Sequence, residues 1–159
     1  MGNILKTYHY ELGKIERGYS GRSLYINVSD LSIQEKIVTD FMKEKFIGGK
    51  GFDLWYLWHA VTPETRWDSP ENEIVFSVGP LGGITQYAGT GKTLVCSISP
   101  LTDIPIDSNA GGYFGPLLKF SGWDALEIQG KAEKDLIIFI DGNEGIIQFE
   151  DGEEYPEDS

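Results

Sequence analysis

Cysteine and histidine are scarce in this chain of 159 residues. One cysteine, Cys96, and two histidines leave no internal disulfide. They are also too few for a four-cysteine iron–sulfur cluster or a four-ligand structural zinc site within the chain. Cys96 lies in the apolar run 93–99 and is predicted to be a small buried residue. This cysteine usage favours the reducing cytoplasm.

Positive charge and long apolar runs are scarce as well. Thirteen lysines and arginines stand against 25 aspartates and glutamates, and the net charge is −12. Such a surface repels the phosphates of nucleic acids and anionic membranes, so neither is expected as a partner. No apolar run approaches membrane-spanning length, and the N-terminus lacks a signal-peptide core. We therefore expect a cytoplasmic protein.

The apolar patterns along the chain predict an α+β fold with mainly antiparallel β-sheets and a few short helices. Apolar periodicity predicts helices over 32–46, from 52 to about 61, and over 113–121. In the second of these, Trp55 and Trp58 are expected to leave apolar surface for a partner. Alternating β-rich segments predict strands at 23–28, 73–78, 93–99, 104–106, 125–129, 136–140 and 146–149.

The composition also suggests a division of the chain. We expect a polar N-terminal extension at 1–17, one folded domain at 18–149 and a solvated acidic tail at 150–159.

The segment from Asn109 to Gly112 is the strongest functional signal. Its paired glycines, Gly111 and Gly112, let main chain approach a ligand closely, and a helix predicted to begin near Tyr113 would direct free N–H groups there. The pattern therefore indicates an anion-binding turn. A plain loop-to-helix junction that uses glycine for tight packing explains the same residues.

Two lysines framed by glycines strengthen the expectation of an anionic ligand. Lys50 lies within 48–51, and Lys92 lies within 89–93. The second segment resembles the end of a phosphate-binding P-loop, but Gln86 stands where glycine is required and a β-rich run follows where a helix should begin. A nucleotide hydrolase is therefore disfavoured. Each lysine alone is better explained as an ordinary surface residue.

Candidates for acid–base chemistry are weak. The carboxylates at positions such as Asp103 and Asp124 lie in turns, where they commonly cap backbone groups. His59 is expected to pack on an aromatic helix, and no Ser/His/Asp arrangement is legible. The residues themselves predict a chain that binds rather than reacts.

Several motifs in one order resemble the N-terminal domain of the tungsten-dependent aldehyde ferredoxin oxidoreductases. Class II benzoyl-CoA reductase catalytic subunits have a similar pattern. The resemblance extends from about Gly18 to Phe149. The motifs that carry it lie at 18–28, 46–51, 68–72, 77–83, 99–101, 108–115, 117–125 and 128–133.

The resemblance implies a β-rich base that supports a tungsten (or molybdenum) bis-pyranopterin cofactor. It implies that the main-chain carbonyl of Asn109 helps to hold a magnesium ion between the pterin phosphates. The cofactor contacts that it implies, together with the glycine-framed lysines, are Lys92, Asn109, Ala110, Gly111, Gly112 and, more weakly, Lys50. The family usually has arginine where Lys50 and Lys92 stand, and lysine keeps the charge but lacks the planar fork.

The same resemblance implies a larger enzyme that interconverts aldehydes and carboxylic acids with ferredoxin as electron partner. A 4Fe-4S cluster and the catalytic groups would come from the remaining catalytic domains or from a cysteine-rich partner subunit. The complex, as one enzyme or as a homo-oligomer of it, would be active, whereas the chain alone would have no turnover. The alternatives are a non-catalytic assembly or regulatory subunit and a part of a benzoyl-CoA-reductase-like enzyme.

Overall fold

The computed structural model describes residues 3–154, except for the side chain of Glu154. Within that range the α-helices are α1 (Asp40–Phe46), α2 (Lys50–Ala60) and α3 (Phe114–Phe120). The strands are β1 (Ile4–His9), β2 (Arg22–Asn27), β3 (Ser32–Ile37), β4 (Glu73–Ser77), β5 (Thr93–Ile98), β6 (Pro105–Ala110), β7 (Ala125–Gln129), β8 (Leu136–Asp141) and β9 (Ile146–Asp151).

The strands form two sheets. Six of them pair in the order β3-β2-β7-β4-β5-β6, and the other three pair in the order β1-β9-β8. Every neighbouring pair is antiparallel except β2 and β7, which are parallel. The predicted α+β fold with mainly antiparallel sheet is confirmed.

The six-stranded sheet separates two hydrophobic cores because successive side chains of a strand point to opposite faces. On one face, α1 and α2 cover a core of Val38, Met42, Phe52, Tyr56, Leu57, Val75, Cys96, Ile98 and Ala125. On the other face, α3 and the three-stranded sheet enclose Leu24, Ile26, Leu118, Trp123, Leu126, Ile147 and Phe149. The predicted burial of Cys96 is confirmed.

The helix predicted over 32–46 is wrong in its first half. Ser32–Ile37 forms β3, which pairs with β2, and the helix begins only at Asp40. Ile33 and Ile37 are four residues apart, a spacing that suits one face of a helix and equally one face of a strand. Pairing with β2 decides between the two. The Thr39 side chain accepts a hydrogen bond from the Met42 amide (3.2 Å) and starts α1.

The chain ends also differ from the sequence pattern. β1 lies within the polar 1–17 segment and pairs with β9, which continues through Glu150 and Asp151. β1 is mostly exposed, so main-chain pairing rather than apolar alternation holds it, and its sequence gave no signal. A short 3-10 helix, Gly152–Glu154, follows, and the predicted acidic tail from 155 onward lies outside the described residues. The domain boundaries at 18 and 149 therefore stay predictions.

The strand predicted at 104–106 is longer than expected. β6 runs from Pro105 to Ala110, so it includes Asn109 and Ala110, which were predicted to lie in a turn. Among residues 3–154, no helix combines the length and apolar character needed to cross a membrane.

Candidate phosphate-binding cleft

The fold brings the two glycine-framed lysines to one place. α2 packs on β4 and β5, and its first residue is Lys50, while Lys92 directly precedes β5. Both lysines line a cleft of about 620 Å³. The rest of the lining is largely glycine and apolar residues: Ile47, Gly48, Gly49, Gly79, Pro80, Leu81, Gly82, Tyr87, Ala88, Gly89, Thr90 and Leu94. Two cations therefore face a space in which main chain is accessible.

Lys92 supplies an available positive charge at this cleft. Its side chain is exposed, and its ammonium group has no hydrogen bond or ion pair within residues 3–154. A Cβ atom added to Gly111 would lie 3.6 Å from Lys92 Nζ, so the ammonium group lies beside the predicted turn. An anion held by the main chain near Gly111 is thus within reach of Lys92.

Lys50 is placed differently because it already has a partner. Its Nζ lies 2.6 Å from Asp107 Oδ1, and this hydrogen bond raises the pKa of Lys50. Asp107 lies on β6, opposite Cys96 on β5. A phosphate at Lys50 would share its charge with a carboxylate, which makes Lys50 a weaker contact than Lys92.

The first turn of α2 adds a third positive element, which sequence reasoning missed. Gly49 caps this 11-residue helix with φ 56° and contributes no side-chain hydrogen bond, so its first N–H groups lack the usual cap. The neighbouring Gly48 has φ 152°, and a Cβ there would lie 2.9 Å from the Gly79 Cα. A side chain at position 48 would therefore collide with Gly79. The dipole of α2 favours an anion at this N-terminal end of the helix.

The four residues of the predicted turn lie along the β6 side of this site. Asn109 pairs with Leu94, which lines the cleft, and Ala110 pairs with Thr93, so their side chains point to opposite faces of the sheet. All of 109–112 is exposed, although none of these residues lines the cleft itself. Gly112 has φ 122°, and a Cβ at Gly91 would lie 2.7 Å from its carbonyl oxygen. The turn is thus held next to Lys92 by close main-chain packing.

A buried ion pair supports the floor of the cleft. Lys119 on α3 is 2% exposed, and its Nζ lies 3.1 Å from Asp124 Oδ1. The same ammonium donates to the carbonyls of Gly18 (2.6 Å) and Gly79 (3.0 Å). Because Gly79 lines the cleft, this pair fixes its shape. The contacts of Lys119 with Gly18 and Gly79 span 101 and 40 residues, so no local pattern in the sequence indicates them.

Asp53 lies in the first turn of α2 and is fully buried. Neither carboxyl oxygen has a hydrogen-bond partner among the described residues, and the nearby Ser77 hydroxyl donates instead to the Gly49 carbonyl (2.9 Å). Burial raises the pKa of Asp53 to about 8. A carboxyl group that is largely neutral at pH 7 leaves the positive potential of the helix terminus intact.

The side chains offer no metal site in the described range. Residues 3–154 bring no three His, Cys, Asp or Glu side chains into an arrangement that could hold a metal ion. The site is instead built from main chain, glycines, two lysines and a helix N-terminus, which are groups that recognise phosphate.

A family model described as aldehyde ferredoxin oxidoreductase, N-terminal domain, matches residues 23–158, which is most of the chain. The chain belongs to this family. The residues that line the cleft and the exposed segment 109–112 all lie within the matched range.

Similar proteins are much longer than this chain. The tungsten-containing aldehyde ferredoxin oxidoreductase of Pyrococcus horikoshii is 40% identical over 123 residues, which cover 77% of this chain and 20% of that protein. Its counterpart in Pyrococcus abyssi is 39% identical with the same shares. The chain therefore spans about a fifth of the length of these relatives.

A solved structure is also similar. It is the active site complex BamBC of benzoyl coenzyme A reductase in complex with 1,5-dienoyl-CoA. The match has a TM-score of 0.79 and 30% sequence identity, and it covers 85% of this chain and 20% of the other chain. The resemblance of the sequence motifs to aldehyde ferredoxin oxidoreductases and to benzoyl-CoA reductase is therefore confirmed.

Proposed function

We propose that this chain is the cofactor-supporting part of a tungsten bis-pyranopterin oxidoreductase that interconverts aldehydes and carboxylic acids. The observation that carries the proposal is the convergence of Lys50, Lys92 and the uncapped start of α2 on one cleft. Relatives named as tungsten-containing enzymes support the choice of metal.

Each predicted site residue has a role in this proposal. Lys92 and the first amides of α2 neutralise pterin phosphate, with Lys50 as a secondary contact. The main chain of Asn109, Ala110, Gly111 and Gly112 would contact the cofactor, and the Asn109 carbonyl would help to hold a magnesium ion that neutralises phosphate charge. The cofactor supplies the redox chemistry when bound, and this chain supplies orientation and charge.

The rest of the enzyme lies beyond these residues. The 4Fe-4S cluster and the catalytic groups would belong to the remaining catalytic domains or to a cysteine-rich partner subunit, with ferredoxin as electron partner. We place the complex in the cytoplasm, as one enzyme or a homo-oligomer of it. The chain alone is then inactive. Trp58, which is 80% exposed on α2, offers apolar surface for such a partner.

Anaerobic isolation of the native complex through this chain tests the proposal. Mass spectrometry would identify its subunits, and elemental analysis would measure tungsten and molybdenum. Tungsten together with a larger cysteine-rich polypeptide supports the proposal. A chain recovered without any partner, metal or pterin contradicts it.

A non-catalytic assembly or regulatory subunit is the second candidate. The ion pair between Lys50 and Asp107 favours it, because it withdraws one of the two lysine charges from a ligand. Unchanged cofactor content after Lys92→Ala would support this candidate. A benzoyl-CoA-reductase-like enzyme is favoured by the BamBC match. Turnover of aromatic acyl-CoA rather than aldehydes by the isolated complex would support it.

A further inference from the structure

A second cleft lies towards the opposite end of α2, away from the glycine-framed lysines. Its volume is about 580 Å³, and we call it the Glu73 cleft after the carboxyl group that lines it. The other lining residues that matter here are Tyr25, Lys36, Trp55, Tyr56 and His59. The last residue of α2, Ala60, also lines it, and the C-terminal end of a helix favours a cation.

Two polar groups in this cleft are buried without partners. Glu73 is 1% exposed and Tyr56 is 6% exposed. Glu73 Oε1 and the Tyr56 hydroxyl have no hydrogen bond within the described residues. Buried polar atoms are normally hydrogen-bonded, so both atoms indicate a ligand that the chain itself does not provide.

Two carboxyl groups and a single ammonium group lie close together at this cleft. Glu127, which is fully buried, accepts a hydrogen bond from Ser23 Oγ (2.9 Å) and forms an ion pair with Lys36. Glu73 is the second carboxyl group, and Lys36 is the one lysine or arginine among the described residues that line the cleft. Lys36 is therefore the single ammonium group beside two carboxyl groups, and it pairs with Glu127 rather than with Glu73.

Lys36 shows what chemistry the cleft accepts. Its Nζ lies 4.4 Å from the centroid of the Tyr25 ring and 5.6 Å from that of Tyr56. A carboxylate and aromatic faces thus already hold one ammonium group. Trp55, with the His59 ring 4.4 Å from its own, adds a half-buried aromatic wall near Glu73.

We propose that the Glu73 cleft binds a protonated amine or a guanidinium group, with Glu73 and the Tyr56 hydroxyl as its polar partners and Trp55 as its aromatic wall. The head group comes either from a small free amine or from a lysine or arginine of a partner chain. The aromatic walls favour an organic cation over a metal ion, for which residues 3–154 provide no ligand cluster. The net charge of −12 attracts cations to the chain.

The ionisation of Glu73 gives the proposal a pH dependence. Desolvation and the neighbouring Glu127 raise the pKa of Glu73 to about 8, while Lys36 opposes the shift. The other titratable groups facing the cleft are Tyr25, Tyr56 and His59. A cation requires the ionised carboxylate, so affinity should rise about tenfold between pH 7 and pH 9, with release of a proton at the lower pH.

Isothermal titration of the full chain with n-butylammonium and n-butylguanidinium tests this. We expect binding at pH 9 that is at least tenfold weaker in Glu73→Gln and is retained in Glu71→Gln, which removes an exposed charge two residues away. Trp55→Leu should weaken binding several-fold. The neutral isostere n-butanol, titrated into the unmodified chain, should not bind, and this control does not depend on the folding of any variant.

Two comparisons complete the test. Binding to the isolated chain that disappears in its native complex identifies a basic side chain of the partner as the occupant, and binding in both identifies a free amine. Absence of binding to the isolated chain at millimolar concentration overturns the proposal. Equal affinity in Glu73→Gln, or equal binding of n-butanol, overturns it as well.

Discussion

The buried Lys119–Asp124 pair provides the sharpest stability prediction. Lys119→Met keeps a long apolar stem but removes the ammonium group. Asp124 would lose that partner while still accepting hydrogen bonds from the amides of Ser20 (3.0 Å) and Gly21 (2.8 Å). The carbonyls of Gly18 and Gly79 would lose their donor as well. A buried carboxylate and two carbonyls would remain without the ammonium group that pairs with them.

The expected loss of stability in Lys119→Met follows from these lost contacts. Removing one partner of a buried ion pair destabilises a protein by about 3–5 kcal/mol, because the other charge stays buried and uncompensated. The two amide hydrogen bonds to Asp124 reduce the penalty, so we expect about 3 kcal/mol. That loss is a large fraction of the 5–15 kcal/mol that is typical of a whole domain.

Urea unfolding followed by tryptophan fluorescence measures this loss. Lys131→Met is the matched control, since Lys131 is exposed and its substitution should change stability by less than about 0.5 kcal/mol. The double variant Lys119→Met/Asp124→Asn should be less destabilised than the sum of its single variants, because it leaves no uncompensated charge. A Lys119→Met variant as stable as Lys131→Met would refute the assignment of this pair as the support of the cleft.

Two further predictions concern the buried acid and the glycine packing. The pKa of Asp53 is raised from about 4 in the unfolded chain to about 8. The contribution of Asp53 to stability is therefore complete below pH 4 and is lost as the pH rises through 8. In urea titrations, the unfolding free energy should fall with pH between 5 and 8, and Asp53→Asn should reduce this fall by about 1 kcal/mol per pH unit. An unchanged slope would contradict this. Gly91→Ala places a Cβ 2.7 Å from the Gly112 carbonyl oxygen, so it should lower the free energy of unfolding by about 1–3 kcal/mol. Gly79→Ala, whose Cβ would have no atom within 4 Å, should lower it less. Equal losses of stability in the two variants would argue against the close approach.

Much of the sheet was predictable because its strands carry strong alternation of their own. The predictions at 73–78, 125–129 and 146–149 agree with β4, β7 and β9 to within one or two residues. β1 was missed and β3 was taken for a helix. Both are edge strands of their sheets, and pairing with a neighbour rather than local apolar pattern fixes them.

The cleft was predictable only in part. Glycines on both sides of Lys50 and Lys92 marked them as cations near accessible main chain, and the structure places both on one cleft. The ion pair of Lys50 with Asp107 and the close approach of Gly48 to Gly79 depend on contacts between distant segments. Such contacts have no signature in a single sequence.

If this cleft holds a phosphate-bearing tungsten cofactor, as we propose, the metal content of the native complex must depend on Lys92. The measurement is the ratio of tungsten to chain in complexes purified anaerobically with the unmodified chain, Lys92→Ala or Lys131→Ala. A hydrogen bond to a charged group contributes about 1.5–3 kcal/mol, so Lys92→Ala should weaken cofactor retention about tenfold or more, and Lys131→Ala should match the unmodified chain. Equal tungsten in all three complexes, or none in the unmodified one, would contradict the account.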